Sequence, residues 1–316
     1  MDSKTLSQNF SVAKVLAIFM VVTSHWFTHL PLWIPSAVAL FIFGFASTFF
    51  TSRLHGTIID VGAFWKNKIQ RLGIRYWFIL GVLSVLLILQ GKEVFHWHSL
   101  VHFMGMSGIL NLFGASESGL GRGLWFFTLL LLFYVLYPYT AKRLIASRET
   151  PFLLAIVVAA LLLVNQEVRL GFSLWLTMIG FILGMYIGVN RFRLSRALLL
   201  ALVLLSACAF GMLNAFFAYR ELNGLLLFVL STALALWLTV AECPRFQFIG
   251  SLARLEKYLL EIYLIHSYFF IRPTGNPIVD FVLSLGLILA VAMILNTAGN
   301  KIVGWMFQAK PLRAAP

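Results

Sequence analysis

Ten apolar stretches, each near the length that crosses a bilayer, set the terms for this 316-residue chain. They fall at about 11–30, 34–51, 75–90, 123–140, 151–165, 172–189, 197–217, 224–241, 257–271 and 278–297. A helix rises 1.5 Å per residue, so about 20 apolar residues match the hydrocarbon thickness. Lipid offers no partner to a bare backbone amide, which leaves helices as the form such segments take. Only 11% of the residues are charged, against about 25% in soluble domains. The expectation is an all-α, polytopic integral membrane protein of about ten transmembrane helices, forming one domain over 1–316.

The net charge of +13 would fit a nucleic-acid binder if it were gathered on one surface. Its distribution argues otherwise. Nineteen of the 24 Lys and Arg lie in the N-terminal tail, 52–75, 141–150, 190–196, 242–257 and the C-terminal tail. The opposite side holds only Lys92, Arg122, Arg169, Arg220 and Arg272. Positive residues stay cytoplasmic during insertion, so both termini are expected inside, and no nucleic-acid partner is implied. Cys208 and Cys243 have neither metal nor redox spacing. The first apolar helix lacks a cleavage site after it and reads as a retained anchor.

The longest outer segment, 91–122, is less apolar than the spans, and its middle is expected to form a short interfacial or re-entrant helix. It carries His96, His98 and His102, with His29 at the end of the first span. Histidine-rich surfaces bind metals. Here no carboxylate or cysteine joins them at ligand spacing, and Trp97 and Phe103 suit an interfacial aromatic belt as well. No metal is expected.

Ionisable residues inside the spans are the candidates for chemistry, because each is costly there unless it faces protein or water. The first span carries Lys14 and His25, eleven residues apart. That is almost a whole number of turns, so both project from one face about 16 Å apart. A histidine hydrogen-bonded within the bundle is the alternative. In the first inner loop Lys68, Arg71 and Arg75 would stack on one helical face. They suit either membrane retention or phosphate binding. In the ninth span Glu261 and His266 are five positions apart, about 140° around a helix, and so do not share a face. Glu261 lies at a depth where Lys14 or Arg75 would pair with it.

Several of these pieces, in order over about 10–270, resemble the membrane-bound acyltransferase family 3. Lys14 and His25 match a basic residue, ten intervening positions and a histidine on the family's first helix. FIFGFASTFF at Phe41–Phe50 is similar to its second-helix element. Phe64, Lys68 and Arg71 match an aromatic followed by a basic-x-x-Arg motif. Leu124–Pro138, LWFFTLLLLFYVLYP, resembles its Leu-Trp-Phe helix, and Ile262–His266, IYLIH, its Tyr-Leu-Ile-His. The chain departs from the pattern in three places. Ser11-Val12-Ala13-Lys14 replaces an acidic-Leu-Arg start, Ile74 stands near a usual proline, and the Leu-Trp helix lacks the usual polar residues.

The resemblance implies transfer of an acyl group, most often acetyl, from cytoplasmic acyl-CoA to a hydroxyl of an extracytoplasmic glycan or glycolipid, in a bacterial inner membrane. In that reading His25 is the general base, since an imidazole titrates near neutrality. Lys14, Lys68, Arg71 and Arg75 hold the phosphates of coenzyme A, while His266, Trp125 and Glu261 are further candidates for lining the acceptor side. The rival is a secondary transporter or flippase in which His25, His266 and Glu261 relay protons. Broken helices or an internal repeat would favour it, and the sequence displays neither.

Overall fold

The structure is a computed structural model that describes residues 3–28, 33–55, 60–112, 120, 124–144, 149–167, 174–191, 195–216, 222–240 and 247–307. All regular structure among the described residues is helical. In chain order the elements are α1 (Ser3–Trp26), α2 (Trp33–His55), α3 (Val61–Lys68), a π turn (Ile69–Gly73) and α4 (Ile74–Leu89). There follow α5 (Trp97–Phe103), α6 (Ser107–Leu112), α7 (Trp125–Thr140), α8 (Thr150–Glu167), α9 (Leu174–Asn190), α10 (Arg196–Phe216) and α11 (Asn223–Val240). The last are α12 (Gln247–Ala253), α13 (Leu259–Ile265) and α14 (Pro277–Met306).

Among the described residues four helical runs are long and apolar enough to cross a membrane: Val61–Leu89, Trp125–Leu144, Arg196–Phe216 and Pro277–Met306. Five shorter apolar helices join them, Phe10–Trp26, Ala37–Arg53, Thr150–Val164, Thr177–Asn190 and Asn223–Trp237. Together they account for nine of the expected spans, and the protein is a polytopic membrane protein.

The ends of several spans move. α1 begins at Ser3 and stops at Trp26, rather than running 11–30. α14 reaches Met306, nine residues beyond the expected end, and its 30 residues make a rod of about 45 Å. Its start is well specified: Asn276 accepts from the amides of Ile278 and Val279, and Pro277 occupies a position whose amide would have no helical partner. The expected span 257–271 is helical only over α13, with 3-10 turns at Arg254–Tyr258 and His266–Tyr268 on either side.

The chain forms two compact units. One comprises Met1–Ile59 and Phe126–Glu256. Here α2 is the central helix, flanked by α1, α9 and α11. On α9, Gly180, Gly184 and Gly188 recur every fourth residue and form a flat strip against α2. A Cβ placed at Gly184 would lie 2.5 Å from the Phe45 carbonyl oxygen and 3.2 Å from the Phe49 amide nitrogen. The close approach allows the Thr48 hydroxyl to donate to the Phe181 carbonyl at 2.7 Å, across the two helices. Phe10 of α1 stacks on Phe49 of α2 with ring centroids 5.2 Å apart.

The second unit comprises Asp60–Trp125 and Lys257–Pro316, and packs α4, α13 and α14 together. α4 ends at Gly91, whose φ of 69° lets the Lys92 amide return to the Leu87 carbonyl at 3.0 Å. The outer segment then forms the short helices α5 and α6. The Tyr76 hydroxyl donates to the His102 carbonyl, and the Trp77 indole donates to the Phe103 carbonyl at 2.8 Å, so two aromatic residues of α4 hold the end of α5.

The glycine strip is directly testable. Gly184→Leu forces backbone apart at the α2–α9 contact, and overpacking of this kind costs about 1–3 kcal/mol or more. The expected outcome is a clear fall in melting temperature in detergent, with Gly211→Leu on α10, where a Cβ meets nothing within 4 Å, close to wild type.

Candidate active site

His25 lies in the last turn of α1 and is half-buried, beside the buried Trp26. It therefore sits at the end of the helix and not well inside it, because α1 stops four residues short of the expected boundary. The hydroxyls of Thr23 and Ser24 bond back to the carbonyls of Phe19 and Val21, at 2.7 Å and 2.9 Å, which satisfies them within the helix.

Three turns earlier, Lys14 makes an ion pair with Glu256. The other oxygen of that carboxylate accepts from the Ser11 hydroxyl. The Lys14 ammonium also lies 5.3 Å from the centroid of the Phe50 ring, a cation–π contact. Glu256 was not singled out in the sequence. Its signal there is only a carboxylate set between Arg254 and Lys257.

In the second unit the three cations of the inner loop differ in their surroundings. An unbroken α-helix would align Lys68, Arg71 and Arg75, but the π turn intervenes, with the Ile74 amide bonding to the Ile69 carbonyl five residues back. The wider turn takes up an extra residue and shifts the phase. Arg71 is exposed and has no ion pair among the described residues. Lys68 is half-buried, 5.4 Å from the Phe64 ring centroid. Arg75 turns inward to Glu261, donating through Nε at 2.9 Å and through Nη2 to the same oxygen, Oε1.

Glu261 is completely buried, and of the two partners considered for it Arg75 is the one it finds. Asn296 of α14 approaches the same oxygen at 3.4 Å, and Asn300 donates to Asn296 at 3.0 Å. The Lys257 carbonyl accepts from Asn296 at 2.7 Å and from Arg75 at 3.3 Å. This is the physical context of the interrupted ninth span. Side chains of α4 and α14 take up a main-chain carbonyl where the helical path changes, so the break leaves it satisfied. Asn296 and Asn300 were legible only as two amides four apart in an apolar helix.

His266 is fully buried in the 3-10 turn after α13. Its Nδ1 is 2.8 Å from the Tyr263 carbonyl, which can only accept, so Nδ1 carries a proton. The loop beyond is tied to α14. Ser284 both accepts from the Ile271 amide and donates to its carbonyl, at 2.9 Å and 3.1 Å. Asp280 accepts from the amides of Thr274 and Gly275 and from the Thr274 hydroxyl. Trp125 is the first residue of α7 and is half-buried.

The outer histidines separate by environment. His96 is exposed, with its ring centroid 5.6 Å from that of His98, while His102 is buried with Nδ1 2.8 Å from the Ser107 hydroxyl. His29 lies outside the described residues. Among the described residues no three His, Cys, Asp or Glu side chains are grouped as a metal site would need. Burial, with His98 adding a smaller repulsion, pushes the His102 imidazole down to about 4.

A polytopic helical membrane protein with cations, carboxylates and histidines drawn to the ends and breaks of its helices has the materials of a membrane-embedded enzyme. Its sequence places it more narrowly. The acyltransferase 3 family, described as an acyltransferase domain, matches residues 8–297, and the chain belongs to that family of acyltransferases. No curated protein and no solved structure matches the chain.

Two predictions come from this geometry. Arg75→Ala strands the buried Glu261 carboxylate, a change that costs about 3–5 kcal/mol. Glu261→Leu added to Arg75→Ala is expected to recover part of that loss, and detergent melting curves of the two variants decide it. Because the His102 imidazole is held below its ordinary 6.5, the unfolded chain binds the extra proton first as pH falls. The contribution of this site to stability is therefore full above about 6.5 and declines towards 4. Hydrogen exchange of the 97–107 segment is expected to quicken over that window in wild type and to show much less pH dependence in His102→Gln.

Proposed function

We propose that the whole chain, 1–316, acts as one transmembrane domain that transfers an acyl group, acetyl in the simplest case, from cytoplasmic acetyl-CoA to a hydroxyl of an extracytoplasmic glycan or glycolipid, in a bacterial inner membrane. The observation that carries this reading is the pair Lys14 and His25 on a single helix of a chain belonging to the acyltransferase 3 family. Their axial separation of about 16 Å suits an extended coenzyme A arm, with a phosphate near the cation and the thioester near the imidazole.

In the reaction, His25 takes the proton of the acceptor hydroxyl as its oxygen attacks the thioester carbonyl carbon. The tetrahedral intermediate collapses with cleavage of the carbon–sulfur bond. The thiolate leaves and takes the proton back from the imidazolium, so free coenzyme A and the O-acylated acceptor are formed and His25 is again a base. Lys68 and Arg71 bind donor phosphates directly; an arginine with no carboxylate partner among the described residues is suited to that. Lys14 is the third phosphate ligand. Arg75, assigned to the same group from the sequence, serves in this reading through its hold on Glu261, and His266 and Trp125 remain candidates for contacts with the acceptor.

One observation favours the transporter reading. Glu261 and His266 are both buried where the ninth span is interrupted, and interrupted helices carry the coupling sites of many transporters. Chemistry separates the two. An acyltransferase binds acetyl-CoA and turns it over, and a transporter does neither.

His25→Asn keeps a hydrogen-bonding side chain of similar size but removes the base. Acyl transfer per folded molecule is expected to fall by about 10²–10⁴-fold, with acetyl-CoA affinity little changed. Near-wild-type turnover would remove His25 from the mechanism. Arg71→Ala is expected to weaken acetyl-CoA binding while inserting normally, since many other cations maintain topology. Wild-type affinity in that variant would leave Arg71 as a retention signal alone.

A further inference from the structure

The two ion pairs are built differently. Glu261 is fully buried, and one of its oxygens is held by both Nε and Nη2 of Arg75 with Asn296 beside it. Releasing it would strand a charge in an apolar interior. Glu256 instead retains 35% of its side-chain exposure, and Lys14 retains 20%. A part-buried pair of this kind costs less to separate than one whose carboxylate is wholly enclosed. Glu256 therefore leaves Lys14 at a lower cost than Glu261 would leave Arg75.

Glu256 is also bound in the manner of a ligand. Ser11 and Lys14, three residues apart on α1, donate to its two different oxygens, the hydroxyl to Oε2 and the ammonium to Oε1. A phosphate offers a pair of oxygens at nearly the same separation and carries more charge. While Glu256 is in place the Lys14 charge is cancelled, and α1 offers no net positive field to a second anion at that point.

We propose that Glu256 is an internal counter-ion seated in an anion cradle formed by Ser11 and Lys14, and that a phosphate of the acyl donor displaces it on binding. The inference rests on the acyl-CoA reading above and adds two residues to it: Ser11 as a phosphate ligand, and Glu256 as the competitor that sets the donor's affinity. A small anion with a single charge gains little over the resident carboxylate, whereas a polyphosphate donor gains the difference in charge. The cradle thereby discriminates for donors of high negative charge.

The test is acetyl-CoA binding to the full-length protein in detergent, measured by calorimetry for wild type, Glu256→Gln, Glu256→Ala with and without Ser11→Ala, and the double variant Lys14→Met/Glu256→Gln. Removing the competing charge is expected to tighten binding by about three-fold in Glu256→Gln, the scale of an exposed ion pair. The gain is expected to vanish when Lys14→Met is the background. Ser11 donates to Glu256 at rest and to the phosphate once it is bound, so its worth is read on a Glu256→Ala background, where adding Ser11→Ala is expected to weaken binding by about two- to five-fold, the worth of one hydrogen bond. If wild type binds acetyl-CoA and Glu256→Gln binds it no tighter, Glu256 positions Lys14 and is not displaced. Should Glu256→Gln fail to fold, Glu256→Ala takes its place, and affinity there no tighter than wild type, or unchanged on adding Ser11→Ala, overturns the cradle. Wild-type protein that binds no acetyl-CoA overturns the acyl-CoA reading itself.

Discussion

Every main-chain amide and carbonyl within the hydrocarbon must find a partner inside the protein. Most of this chain meets that demand with uninterrupted helix. The departures are informative because each must be repaired locally. At the ninth span the Lys257 carbonyl is taken up by Asn296 and Arg75, and the carboxylate of Glu261 draws the same two side chains together. One small polar network thus allows a break in a membrane helix and fixes α4, α13 and α14 in their unit.

The same demand governs how the helices of the other unit approach. Lipid tails are as apolar as leucine, so association has to come from packing and from interhelical hydrogen bonds. Gly180, Gly184 and Gly188 supply the first and Thr48 with the Phe181 carbonyl the second. The glycines bring α9 close to α2, and Phe10 of α1 stacks on Phe49 of α2. A rigid scaffold of this sort supports α1, on which Ser11, Lys14 and His25 lie.

Charge in this protein does two separate jobs. The bulk of the Lys and Arg lies at expected cytoplasmic ends, where position relative to the membrane is enough. A smaller set has specific surroundings: Arg75 pairs with the fully buried Glu261, Lys14 with the part-buried Glu256, and Arg71 has no ion pair among the described residues.

Hydropathy alone determined that the chain is an all-helical membrane protein, because an apolar run of sufficient length has a single low-energy form in lipid. The pattern of Lys14, His25, the Lys68–Arg71 spacing and IYLIH pointed to the acyltransferase 3 family, which the match over 8–297 established. What hydropathy did not reveal was phase and interruption. A π turn leaves no mark in composition, and that Arg75 rather than Arg71 pairs with Glu261 was decided by where α13 lies. The break around α13 depends on side chains from α4 and α14 reaching one carbonyl, and no local window of sequence contains all three. The partners of the two carboxylates were likewise decided in space. Glu256 lies 242 positions from Lys14 in sequence, and only the tertiary fold could bring a charge of opposite sign to that lysine.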